Sequence, residues 1–143
     1  MARRTMPDDP ISRSLTFTGR IRSFSHAFHG IAIMLRSQQN AWIHATATIA
    51  VLAAGVFLGI SRVEWCWIVL AIIAVWTAEA LNTALEFLTD VASPEFHPIA
   101  GQAKDVAAGA VLIAAIGASL IGALVFGPHV LVLLGWLEGL GAG

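Results

Sequence analysis

Charge is scarce in this chain: 12% of its 143 residues are charged and 57% are hydrophobic. That excludes an ordinary soluble domain, in which about a quarter of residues carry charge. Cysteine is nearly missing too. The lone Cys66 excludes an internal disulfide and a cysteine-built metal cluster. No short apolar run with a small-residue cleavage site follows the first arginines, so no cleavable signal peptide is expected. Glycine and proline are missing from Trp65 to Asp90, so nothing in that stretch interrupts a helix. Neither a G-x-x-x-x-G-K-[ST] loop nor a G-x-G-x-x-G loop ahead of a helix occurs, so any phosphate chemistry must do without the usual cradles.

What is present reads as an all-α membrane protein. Mean hydropathy is +0.79, and the length has room for about three spans of ~20 residues. The pattern predicts a single membrane domain over 1–143: a disordered tail over 1–17, a surface helix over 18–39, membrane helices over 41–60, 65–90 and 104–126, and an apolar tail over 128–143. In the surface helix Ile21, Phe24, Phe28, Ile31 and Leu35 share one face, while Arg22, His26, His29 and Arg36 fall mostly elsewhere. Trp42 suits the entrance of the first span, where Asn40 and His44 read as interfacial polar residues. Gly55 and Gly59 form a G-x-x-x-G pair, and Ala110, Ala114, Ala118 and Gly122 a small-residue stripe suited to tight helix packing. Ser61 to Glu64 reads as a tight turn, which makes the first two spans antiparallel neighbours. Arg3, Arg4, Arg13, Arg20, Arg22 and Arg36 precede the first span and Lys104 follows the second. The positive-inside rule then puts the amino terminus and the 91–104 loop in the cytoplasm.

The 65–90 helix carries the unusual feature. Glu79, Asn82, Glu86 and Asp90 recur at spacings of three, four and four, which puts them on one face. An acid near the centre of a membrane helix costs about 2.5–3.5 kcal/mol on insertion scales, so this stripe should face protein, water or a cation. At the wet end Glu95, His97, Lys104 and Asp105 join it. Carboxylate and amide oxygens favour a hard cation such as Mg²⁺; Lys104 and the arginines suit a polyphosphate. A deeper carboxylate could take a proton from a lipid hydroxyl. That equipment fits phosphoryl transfer from a nucleotide to a membrane alcohol. It fits equally a proton- or cation-coupled transporter or channel, or a structural membrane subunit.

The motifs themselves go further. Glu79-Ala80-Leu81-Asn82-Thr83-Ala84-Leu85-Glu86, Asp90, Ser93-Pro94-Glu95-Phe96-His97-Pro98 and Ala103-Lys104-Asp105-Val106-Ala107-Ala108-Gly109 together resemble the prokaryotic diacylglycerol kinase family. The proline after the histidine is more similar to its undecaprenol kinase branch. The resemblance runs from about Ser23 to Phe126 and takes in Phe28-His29-Gly30-Ile31 and Asn40-Ala41-Trp42-Ile43-His44.

This resemblance implies a surface helix and three membrane helices per chain, assembled as a homotrimer with composite sites in a bacterial inner (plasma) membrane. It implies a membrane lipid substrate, ATP as co-substrate, Mg²⁺ as cofactor and no nucleic acid partner. It further implies Glu79 as general base on the lipid hydroxyl, Asn82 as the residue orienting groups beside it, and Glu86 as a ligand of the nucleotide-bound metal. Lys104 would meet the phosphates, and Asp105 with Glu95, Phe96 and His97 would line the nucleotide. Asp90 belongs to the same motif. There is one departure: where the family usually has a second metal-binding glutamate, this chain has Gln38, which offers a carbonyl oxygen without charge. Gln39, Asn40 or a water could assist it.

Overall fold

A computed structural model describes residues 17–95 and 97–141. The 1–16 part of the tail and Phe96 lie outside the described residues. The chain divides into two units, 1–37 and 38–143. In the first, α1 (Phe17–Ser37) presents Ile21, Phe24, Phe28 and Ile31 as an exposed apolar stripe, with Arg36 in its last turn.

The second unit holds three helices long and apolar enough to cross a membrane: α2 (Gln39–Leu58), α3 (Arg62–Ala92) and α4 (Pro98–Gly141). The link between α2 and α3 is short because both ends are capped locally. Gly59 takes φ +64°, the left-handed conformation that ends a helix at little cost in glycine, and Ile60 N–H returns to the Gly55 carbonyl. Ser61 then caps α3: its hydroxyl accepts from Glu64 N–H, and the Glu64 carboxylate accepts from Ser61 N–H at 2.7 Å. The residues expected as a turn are therefore the first turn of a helix.

The two glycines of the G-x-x-x-G pair do different work. Gly59 ends the helix. Gly55 lets Trp65 lie against the α2 backbone, since a Cβ there would stand 2.8 Å from its ring. Around them Ile60, Ile68 and Val125 form the core, with Val51, Leu58, Ile72, Ile121 and Phe126 against it. Lipid tails are as apolar as these side chains, so close fit, not water exclusion, holds the helices here. Glu64 adds a polar tie at this end: its carboxylate meets His129 Nε2 at 3.0 Å, joining α3 to α4.

α4 starts at Pro98, earlier than residue 104, and continues through Gly127 and Pro128 to Gly141. Pro98 suits a first helical position, where the missing N–H has no intrahelical partner to lose. His97 Nδ1 accepts from Ile99 N–H at 3.2 Å and supplies the cap. Asp105 consequently lies two turns inside the helix instead of at its positive end. Of the expected small-residue stripe on α4, Ala110 is exposed and Ala114 half-buried, while Ala118 and Gly122 wall a groove together with Ala115 and Ser119.

Candidate active site

Six residues on α3 make one continuous face. Ile68, Ala71 and Val75 are buried, and the same spacing carries the face on to Glu79, Asn82 and Glu86. A stripe that begins as core thus ends as polar groups without leaving the helix interface. The core anchors the α2–α3 hairpin end; the acids occupy the opposite half of α3.

Glu79 is 0% exposed, and neither carboxylate oxygen has a hydrogen bond among the described residues. His44 Nε2 on α2 stands 3.7 Å from Glu79 Oε2. Thr83, also buried, spends its hydroxyl on the Glu79 backbone carbonyl at 2.9 Å. Asn82 is 5% exposed; its Nδ2 donates to Glu86 Oε1 at 2.9 Å, and its Oδ1 is buried without a partner. Gln38, just ahead of α2, donates from Nε2 to the other Glu86 oxygen at 2.5 Å. Glu86 is therefore clasped by two amides from two elements.

One turn further along α3, Asp90 pairs with Lys104 of α4. The pair borders a cavity of about 260 Å³ whose walls include Thr89, Ser93, Glu95 and His97. Glu86 and Asp90 are four residues apart, or ~6 Å of helix rise, so the amide cluster and the Lys104 cavity lie within the span of a triphosphate. The structure thus brings together Gln38, Asn82 and Glu86 in one group, and Lys104, Asp90, Glu95 and His97 in another. Asp105 is exposed and belongs to neither.

The donors around Glu86 are a carboxylate and two side-chain amides, hard oxygen chemistry that suits a small divalent cation accompanied by phosphate and water. Among the described residues no three His, Cys, Asp or Glu side chains gather as a closed metal cage. An ion here would need a substrate to complete its shell. Gln38 presents nitrogen to Glu86 as it stands, so acting as a ligand requires its amide to turn over.

Beside Glu79 lies an apolar groove of about 460 Å³ between the three membrane helices. Val75, one turn from Glu79, and His44 are among its walls; Glu79 itself stays behind them. His44, read from the sequence as interfacial, is thus the polar residue between groove and buried acid. Spacing gave little signal for it, since the same helix also carries Gln39, Asn40, Thr46 and Thr48.

Residues 25–126 match the prokaryotic diacylglycerol kinase family. The chain is 42% identical over 107 residues to the undecaprenol kinase of Bacillus subtilis (strain 168), covering 75% of this chain and 87% of that protein. It is 36% identical over 113 residues to a diacylglycerol kinase of Synechocystis, covering 78% of this chain and 65% of that one. With the diacylglycerol kinase of Escherichia coli (strain K12) it shares 29% identity over 120 residues, 79% of this chain and 93% of its relative.

Proposed function

We propose, from the premise that this chain belongs to the prokaryotic diacylglycerol kinase family of membrane lipid kinases, that it transfers the γ-phosphoryl group of ATP to the hydroxyl of undecaprenol, giving undecaprenyl phosphate. The observation that carries the reading is the position of Glu79: a fully buried carboxylate with both oxygens free, beside an apolar groove and two turns from the oxygen cluster at Glu86. A carboxylate kept that deep without a partner suits a base that acts on a buried alcohol. The choice of polyprenol over diacylglycerol rests on the Glu95-Phe96-His97-Pro98 loop and on the higher identity to the undecaprenol kinase of Bacillus subtilis.

In this reading Glu79 takes the hydroxyl proton as the lipid oxygen attacks the γ-phosphorus and ADP leaves. Asn82 holds the Glu86 carboxylate in place through Nδ2. Glu86, with Gln38, would hold Mg²⁺, which when bound neutralises phosphate charge. Lys104 exchanges Asp90 for the nucleotide phosphates. Glu95 and His97 wall the cavity where the rest of the nucleotide would lie; Asp105, exposed in the chain, could reach a nucleotide only from outside that cavity. Phe96, expected from the resemblance to line the nucleotide, lies outside the described residues. A homotrimer with composite sites in the bacterial inner membrane, amino terminus and 91–104 loop facing the cytoplasm, completes the reading.

The test is direct. Purified protein receives γ-labelled ATP, Mg²⁺ and a panel of diacylglycerols and polyprenols. Label in polyprenyl phosphate is the expected result. Label only in phosphatidic acid would overturn the choice of lipid. Cation or proton flux in sealed vesicles, with no label in any lipid, would overturn the kinase.

A further inference from the structure

His44 has no assigned role, yet its surroundings are unusually ordered. Two pairs of residues face each other across the α2–α3 interface: His44 and Thr48 on α2, Trp76 and Glu79 on α3. Trp76 Nε1–H donates to Thr48 Oγ1 at 3.1 Å, and the Trp76 ring meets the His44 ring edge-on with centroids 6.4 Å apart. The imidazole is thus packed against an indole that is itself held by a hydrogen bond to α2. Its Nε2 is buried, lacks a hydrogen bond, and stands 3.7 Å from Glu79 Oε2. A histidine that merely filled core would satisfy this nitrogen. Among the described residues no other cationic side chain lies within ion-pair reach of Glu79. The remaining charged group near it is Glu86 on its own helix, and the α4 wall contributes Ala115, Ala118, Ser119 and Gly122, none of which ionises.

Building on the lipid-kinase reading, the geometry points to His44 as the positioning residue for Glu79. Nε2–H donates to Oε2 once the gap closes, as catalytic hydrogen bonds commonly tighten when substrate arrives. The carboxylate is then held at one oxygen, and Oε1 is left for the lipid hydroxyl. In the transfer the lipid O–H bond breaks, its proton goes to Oε1, the new O–P bond forms, and the bond from the γ-phosphorus to ADP breaks. His44 also lines the groove beside Glu79, so its ring borders both the space offered to a lipid and the acid.

The experiment compares wild type, His44→Leu and His44→Gln as full chains in lipid, with labelled ATP and whichever lipid the wild type phosphorylates. Leucine is apolar and suits a membrane helix, so this change should not impair folding. It removes the donor and should lower kcat about 100-fold, the usual penalty for a misplaced catalytic group, with the KM for ATP unchanged. Glutamine supplies an amide N–H in place of the ring and should recover turnover to within about tenfold of wild type. A mere packing role would not separate these two variants. The inference fails if the leucine variant keeps wild-type kcat, if its loss appears only in the KM for ATP, or if glutamine is no better than leucine. A wild type that labels no lipid would sink the kinase reading and this inference with it; an active wild type with an unaffected leucine variant sinks this inference alone.

Discussion

Gln38 and Glu86, 48 residues apart in sequence, meet at 2.5 Å through the Gln38 amide nitrogen. A glutamate at position 38 could not make that bond; it would set a second carboxylate against the first. Without a divalent ion the pair repels, and with one both become ligands. Gln38→Glu should therefore lower the Mg²⁺ concentration for half-maximal turnover by about tenfold, because ion affinity follows ligand charge. The thermal midpoint of the variant should also rise on adding Mg²⁺ more than that of wild type. An unchanged Mg²⁺ titration would remove position 38 from the metal site.

Glu79 and Glu86 should separate cleanly in kinetics. Glu79→Gln keeps the shape of the buried side chain and removes its basicity. Turnover should fall by at least ~100-fold, as expected for loss of a general base, while nucleotide binding persists. Glu86→Ala leaves Gln38 and Asn82 without their common acceptor and should weaken Mg·ATP binding by titration calorimetry. If Glu79→Gln keeps most of its turnover, the base is elsewhere.

The Asp90–Lys104 pair is exposed on both sides, 63% and 38%. Such pairs contribute about 0–1 kcal/mol, so Asp90→Asn should hardly move the melting temperature. Lys104→Met should instead raise the KM for ATP by about tenfold or more, since a phosphate loses its charge-assisted donor. Equal kinetic and thermal effects in the two variants would mark the pair as structural.

Gly55→Ala should destabilise the hairpin, because the new methyl meets Trp65 and Ile60 side chains at 2.8–3.1 Å. Overpacking of this kind costs about 1–3 kcal/mol. Trp65→Phe in the same chain should relieve part of it, a coupling visible in a double-mutant cycle of melting temperatures. Additive effects would mean that Trp65 moves aside freely.

Much of the site could be read from spacing. Glu79, Asn82, Glu86 and Asp90 share a face on any helix, and Trp65 to Asp90 held no residue that would break one. The cap at Ser61 was equally present as Ser-x-x-Glu, although the stretch reads as a turn when the helix is started at its first tryptophan. Positions 38 and 44 were another matter. Gln38 was marked only by the resemblance, as standing where a metal-binding glutamate is usual, and His44 read as an interfacial polar residue; neither spacing nor hydropathy says which group each one meets.

Periodicity and hydropathy are local, and they alone determined three membrane-length helices, an acidic stripe on the second and a loop before the third. Pairing is not local. Which oxygen of Glu86 faces Gln38, which of the acids is wholly buried, and that His44 stands between Glu79 and the groove depend on how α2 packs on α3 and how small side chains on α4 leave space. Only the tertiary structure decided those, because a helix's own 3.6-residue repeat says which residues share a face but carries no information about what that face meets.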